Sequence, residues 1–224
     1  MDKDEIILNA YEEHNYPSLE KLFQILKKKN INISRKEIKL FLDSQIEQQL
    51  TTTQYNKNAS GKITALILNE CWQIDIYNLQ KYAHDNKNYS YILAVVDVFS
   101  RRAWAVATKD KEAISITNAL QSIIDDNNGE PPRVITGDND SVYTSAIFQN
   151  LLDKYKIVLD MNVINDHHAL GIIDNFAKRI KTFFTLKFLR TKSKNWINLI
   201  SDFIKNYNNS EHKALDYLTP NDAL

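Results

Sequence analysis

Three aspartates in this chain occupy positions from which they could do chemistry. Asp75 sits inside Trp72-Gln-Ile-Asp75-Ile-Tyr77, a stretch that reads as a strand. Strand alternation puts it on one side with Gln73 and Tyr77, and Ile74 and Ile76 on the other. A carboxylate there is costly to bury without a cation, a proton or water. Asp138 follows the short apolar run Arg133–Thr136, at the strand end where open sheets place ligands. Asp174 lies near the start of a long predicted helix whose buried stripe is Ile173, Phe176, Ala177, Ile180 and Phe184. Asp174, Lys178 and Lys181, at i, i+4 and i+7, share a different face. A carboxylate below two lysines suits a place where metal meets phosphate backbone. Taken singly, each acid is an ordinary solvated aspartate, and Asp174 with Lys178 is a helix ion pair worth only about 0.3–0.5 kcal/mol.

The elements that must position these acids are legible from residue 71 onward. Trp72–Leu79, Tyr89–Ser100 and Ala103–Thr108 read as strands, the last two joined at Arg101-Arg102 as an antiparallel hairpin. Glu112–Asp126 is a predicted helix, stopped by Asn128-Gly129 and Pro131-Pro132. Arg133–Thr136 is a buried strand, Ser145–Tyr155 a helix and Ile157–Val163 a last strand. Helices follow over about 169–189 and 195–207. This order predicts an α/β mixed five-stranded sheet with helices on both faces.

Residues 1–50 predict a small helical domain. Leu19, Leu22, Phe23 and Leu26 form one stripe, and Ser34-Arg-Lys-Glu37 is a capping box before Ile38, Phe41 and Leu42. The pair of helices resembles a helix-turn-helix, which puts Arg35, Lys36 and Lys39 on a DNA-facing surface; a plain packing module is the alternative. Residues 51–69 read as a linker and 70–224 as the main domain.

The net charge is zero, but it is segregated. Residues 58–174 carry 10 Lys+Arg against 15 Asp+Glu, and residues 175–224 carry 9 against 4. Acids gathered in a core can hold divalent metal, and a basic end can hold phosphate. Lys178, Lys181, Lys187 and Arg190 are the leading candidates for DNA contact. A single cysteine, Cys71, rules out a disulfide framework and a Cys-pair zinc finger. No apolar run reaches the ~20 residues of a membrane span, and no secretory signal is visible, so no membrane association and an intracellular location are expected.

The three acids combine with further motifs. Sixty-two residues separate Asp75 from Asp138, and 35 separate Asp138 from Asp174. Trp72-Gln-Ile-Asp75 resembles a W-x-x-D first strand. Tyr91-Ile-Leu-Ala-Val-Val-Asp97-Val-Phe-Ser100-Arg101 resembles a Y-I-L-x-V-I-D-x-F-S-R hairpin. Thr136-Gly-Asp138-Asn139 resembles T-D-N-G with one residue inserted. Ile172-Ile-Asp174-Asn-Phe176 with Lys181 resembles I-V-E-R-F-N-R-T-L-K. Tyr207-Asn-Asn-Ser-Glu-His212 with Leu218-Thr-Pro220-Asn-Asp-Ala223 resembles Y-N-x-x-x-H and L-T-P-x-x-A. Together these resemble the retroviral-integrase and DDE-transposase superfamily, an RNase H-like fold. The pattern is most similar to integrases of Maverick/Polinton elements and virophages.

The resemblance implies a DNA integrase or transposase that trims 3′ ends and joins them to target DNA. Asp75, Asp138 and Asp174 would be the catalytic and metal-holding residues for two Mg²⁺ or Mn²⁺ ions. Double-stranded DNA is the implied partner, a homo-oligomer the implied assembly, and the nucleus the implied site in a eukaryotic host. Three departures matter. Asp174 stands where most relatives have Glu, about 1 Å shorter in reach. Asp140 stands at the usual Gly, where it either alters the turn or offers another carboxylate. Val142 and Tyr143 replace a common Glu-Phe pair. The rival readings are a degenerate or domesticated DNA-binding relative, and an RNase H-like nuclease that only hydrolyses. Within the resemblance, the hairpin acid Asp97 is expected to serve structure, and Trp72 and Trp104 the core.

Overall fold

The structure, a computed structural model, describes residues 3–45, 64–161 and 170–224. The chain forms two compact units, one of residues 1–57 with 180–193, the other of residues 58–179 with 194–224. The predicted linker up to residue 63, and His167 and His168, lie outside the described residues.

The first unit is helical. Helices α1 (Lys3–Glu13), α2 (Leu19–Lys28) and α3 (Arg35–Ser44) bury Ile7, Leu22, Leu26 and Ile38. The Ser34–Glu37 capping box is present, whereas Ser18 starts α2 without a side-chain bond. This unit also contains the second half of a long helix, α6 (Gly171–Thr191), whose Phe183 ring meets Tyr16. Arg35, one of the residues assigned to a DNA-facing surface, donates to both oxygens of Glu20 and lies over the Phe23 ring.

The second unit is built on a five-stranded sheet in the order β3-β2-β1-β4-β5. β1 (Cys71–Asn78) is central. It pairs antiparallel with β2 (Tyr91–Asp97) on one flank and parallel with β4 (Val134–Gly137) on the other. β3 (Ala103–Thr108) is antiparallel to β2, and β5 (Val158–Met161) is parallel to β4. Under one face pack α4 (Ala113–Asp126) and α5 (Ala146–Tyr155). Their Ile116, Leu120, Ile123, Phe148 and Leu152 close a core with Trp72, Ile74, Leu93, Val95 and Trp104. Both tryptophans are buried, their rings 4.9 Å apart.

The opposite face meets the first half of α6 and the helix α7 (Ile200–Asn208). There Phe176 meets Phe203 and Tyr207 edge-on. Two buried amides fasten this side. Asn208 takes the N–H and supplies a donor to the C=O of Ala103, both at 2.9 Å, occupying the outer peptide groups at the start of edge strand β3. Asn86 closes a 3₁₀ turn, Gln80–Asn86, that the sequence did not signal. It accepts from Trp196 and Ile197 N–H and donates to Tyr82 and Lys194 carbonyls. One buried side chain, not local periodicity, organises that turn.

Candidate active site

The parallel ladder leads toward two of the three acids. β1 and β4 pair Cys71 with Val134, Trp72 with Ile135 and Gln73 with Thr136. The pairing stops there and β4 ends at Gly137, one residue before Asp138; continued for two residues, the same register would set Asp75 opposite Asp138 across a strand spacing of about 4.8 Å. Gly137 makes that possible. A Cβ there would lie 3.1 Å from Ile74 Cγ1 and 3.2 Å from the Ile74 carbonyl oxygen. The residue that interrupts the T-D-N pattern is therefore one whose missing side chain lets β4 run close beside Ile74, the residue before Asp75.

The third acid is tied to the same strand. Gln73 is fully buried, and its Oε1 accepts the N–H groups of Ile172 at 3.2 Å and Ile173 at 3.0 Å. The Tyr77 hydroxyl donates to the Ile173 carbonyl at 3.4 Å. Asp75 lies between Gln73 and Tyr77 on their side of β1, and Asp174 directly follows Ile173 in the first turn of α6. Burial first, and then the negative charges of Asp75 and Asp174, push the Tyr77 phenol well above its ordinary range.

Asp138 is exposed, yet desolvation by the atoms around it together with the neighbouring Asp140 raises its carboxyl above the usual value. Asp140 settles the alternatives posed by its replacement of glycine. Its Oδ1 accepts the Val142 N–H, closing the turn, and its Oδ2 forms an ion pair with Lys111 from the β3–α4 loop. Beside these acids the Tyr143 hydroxyl is buried and makes no hydrogen bond to any described residue. Burial, then the charges of Asp138, Asp75 and Asp140, raise it well above a normal phenol.

Asp97 sits apart from this group. It is fully buried and accepts the Ser100 N–H at 2.6 Å, the Ser100 hydroxyl at 2.7 Å and the Asn69 N–H at 3.2 Å. It ties the hairpin turn to the segment entering β1. Desolvation raises its carboxyl despite these donors.

The donor set fits a hard divalent cation in kind. It consists of carboxylate oxygens, that of Asp138 raised by the acid beside it, with a lysine ammonium already drawn in by Asp140. Among the described residues, however, no three His, Cys, Asp or Glu side chains are close enough to hold one ion. Asp75 lies within β1, Asp138 just past the end of β4, and the turn that carries Asp174 is tied to β1 through its backbone. Of the candidate DNA contacts, Lys178 follows Asp174 by one turn. Lys181, Lys187 and Arg190 belong to the helical unit. Arg190 is engaged there, donating to Glu12 and Gln45. Sequence reasoning did not single out Lys111 or a role for Gln73, Tyr77 and Tyr143. For Gln73 and Tyr77 the signal was available, since both flank Asp75 at strand spacing.

Comparison with known proteins agrees with this architecture. Residues 67–167 match the integrase core domain family. The chain is similar to the simian T-cell lymphotropic virus intasome, solved in complex with the PP2A regulatory subunit B56 gamma. The identity is 18% and the TM-score 0.64, over 89% of this chain and 73% of that one. It is also similar to the HTLV-2 integrase catalytic core domain, solved with magnesium in dimeric and trimeric forms. The trimeric form gives 21% identity and a TM-score of 0.57, over 70% of this chain and 97% of that one. The dimeric form gives 21% and 0.52, over 64% and 88%. A transposon-derived protein of Caenorhabditis elegans is 18% identical over 139 residues, 61% of this chain. The chain spans about half, 47%, of that relative's length. The fold is RNase H-like. The integrase core domain match covers residues 67–167, just under half of the chain.

Proposed function

We propose that this protein is a DNA integrase or transposase that trims the 3′ ends of a mobile or viral DNA and joins them to target DNA. The observation that carries the reading is the parallel β1–β4 register, which leads toward Asp75 on one strand and Asp138 just past the other, with the Asp174 turn fastened to β1. Asp75, Asp138 and Asp174 are the residues that would hold divalent metal, Mg²⁺ or Mn²⁺ and two ions by this reading. Such a group would supply activation of the attacking oxygen and charge neutralisation of the leaving one. The Asp138 carboxyl, raised by desolvation and Asp140, gains a partner for its charge on metal binding. Water attacks in the trimming step, and the freed 3′-hydroxyl attacks in the joining step. No protein nucleophile is required.

Lys178, with Lys181 and Lys187 further along α6, neutralises phosphates of the double-stranded DNA. Arg190, held by Glu12 and Gln45, serves the helical unit first. Joining two ends calls for at least two copies of the chain, hence a homo-oligomer, acting in the nucleus where the host is eukaryotic. No helix among the described residues is long and apolar enough to cross a membrane.

The test is strand transfer of a short end-containing duplex with Mn²⁺. Asp75→Asn, Asp138→Asn and Asp174→Asn are each expected to abolish product. Full activity of the Asp174 variant removes the three-acid site. The ungathered carboxylates keep one rival alive, a DNA-binding relative without catalysis. Salt-dependent binding with no metal-dependent nicking would favour it. Supplying a pre-cut 3′-hydroxyl end separates joining from hydrolysis alone.

A further inference from the structure

The first N–H groups of a helix lack partners within it and need acceptors from elsewhere. In α6 the Asp174 N–H reaches back to the Leu170 carbonyl at 3.0 Å, while those of Ile172 and Ile173 depend on Gln73. A carboxamide oxygen has two lone pairs, and both are used here. Gln73 is fully buried on the central strand of the sheet, which is bonded on both flanks. Tyr77, four residues on, holds the Ile173 carbonyl from the other side of Asp75. Ile173, the residue immediately before Asp174, is thus held at its N–H by Gln73 and at its C=O by Tyr77, the two side chains that bracket Asp75.

An apolar side chain of similar size at position 73 would fill the same space without fixing this turn, and hydrophobic packing alone does not set a helix's position along its axis. The Gln73 amide does. A glutamate would accept the same two bonds, but it would add a charge beside two carboxylates.

We propose that Gln73 and Tyr77 are positioning residues. They set the distance between the Asp174 and Asp75 carboxylates and so tune the metal affinity of the site. This inference rests on the reading of the three acids as a metal-holding set.

The test uses the full chain and Mn²⁺ alone, followed by electron paramagnetic resonance, with strand-transfer rates and thermal melting in parallel. Residues that orient metal-holding groups typically change affinity 10–100-fold when removed. Gln73→Leu is expected to weaken Mn²⁺ binding about tenfold or more and to lower kcat, leaving KM for DNA near the original. In an Asp174→Asn background the same substitution is expected to cost nothing further, because the carboxylate it positions is already gone. Gln73→Glu is expected to hold the turn, so amide exchange of Ile172 and Ile173 stays slow as in the parent chain.

Should Gln73→Leu fail to fold, Tyr77→Phe removes one hydroxyl from the same turn and is expected to weaken Mn²⁺ several-fold. Parent affinity in Gln73→Leu, or in Tyr77→Phe where that is the variant available, overturns the proposal. So does an equal loss with and without the Asp174 carboxylate, the mark of general destabilisation. If the parent chain binds no Mn²⁺, or binds it equally well as Asp174→Asn, the metal-site reading itself has failed and the proposal goes with it.

Discussion

Asp97 and Asp75 are both aspartates of the central hairpin region, and their replacements should fail in opposite ways. Asp97→Ala strips the acceptor from two backbone N–H groups and one hydroxyl, at 2.6, 2.7 and 3.2 Å. Each donor left buried without a partner costs about 1–3 kcal/mol. Ser100 is fully buried, so its two donors have no route to water without opening the turn. The gross penalty is about 3–5 kcal/mol. Some of it is offset, because the ionised Asp97 is itself disfavoured by desolvation. A net loss of about 2–4 kcal/mol is a large share of the roughly 5–15 kcal/mol that holds a domain together.

The sign with pH follows from the raised carboxyl. The protonated acid is the better-tolerated form, so Asp97's contribution declines as pH climbs from the ordinary aspartate range through its raised value, and is flat above. Urea unfolding should therefore show Asp97→Ala strongly destabilised and Asp97→Asn less so. Mn²⁺-dependent nicking per folded molecule should be retained in both. Asp75→Asn should show the reverse, near-parental stability and no nicking. If Asp97→Ala unfolds within about 0.5 kcal/mol of the parent yet loses nicking, the separation of a structural acid from the catalytic ones is wrong.

Three further outcomes are expected. Asp138→Asn should raise the melting temperature at pH 7 in chelator, since desolvation and Asp140 disfavour the ionised acid; the difference should vanish below the ordinary aspartate range, and calorimetry at pH 3 and pH 7 reads it. Gly137→Ala should cost about 1–3 kcal/mol in urea unfolding and depress nicking, because its Cβ meets the Ile74 backbone; a neutral effect would mean the β1–β4 approach is looser than the geometry states. Lys111→Met should strengthen Mn²⁺ binding in a titration, as it removes a positive charge paired with Asp140 and acting on Asp138; weaker binding would show that Lys111 organises the turn instead.

The sequence carried the sheet well because its strands are long or strongly patterned. Tyr91–Asp97 is almost wholly buried, and Trp72 to Tyr77 alternates as a central strand with two different faces should. The Ser34 cap was equally readable, since a cap is a local event. The Gln80–Asn86 turn was not, because its stability comes from Asn86 bonding residues more than a hundred positions away. The same holds at the site. The placement of Asp75 beside Gln73 and Tyr77 follows from alternation, but the grip of those two side chains on Ile172 and Ile173 depends on which helix lands there. Lys111 and Tyr143 reach the acids from loops, whose paths no periodicity encodes. Nor could charge counting reveal that Arg190 and Arg35 are occupied by Glu12 and Glu20.

The parallel ladder between β1 and β4 has an evolutionary corollary. The segments crossing from one strand to the other can gain or lose residues freely, for their length never enters the β1–β4 register. Inside the strands parity is unforgiving, and a single-residue insertion turns every later side chain to the opposite face. Lineages descended from this chain should therefore drift in loop length around residues 109–112 and 127–132, on either side of the core helix, while keeping the count from Trp72 to Asp75, and from Val134 to Asp138, unchanged.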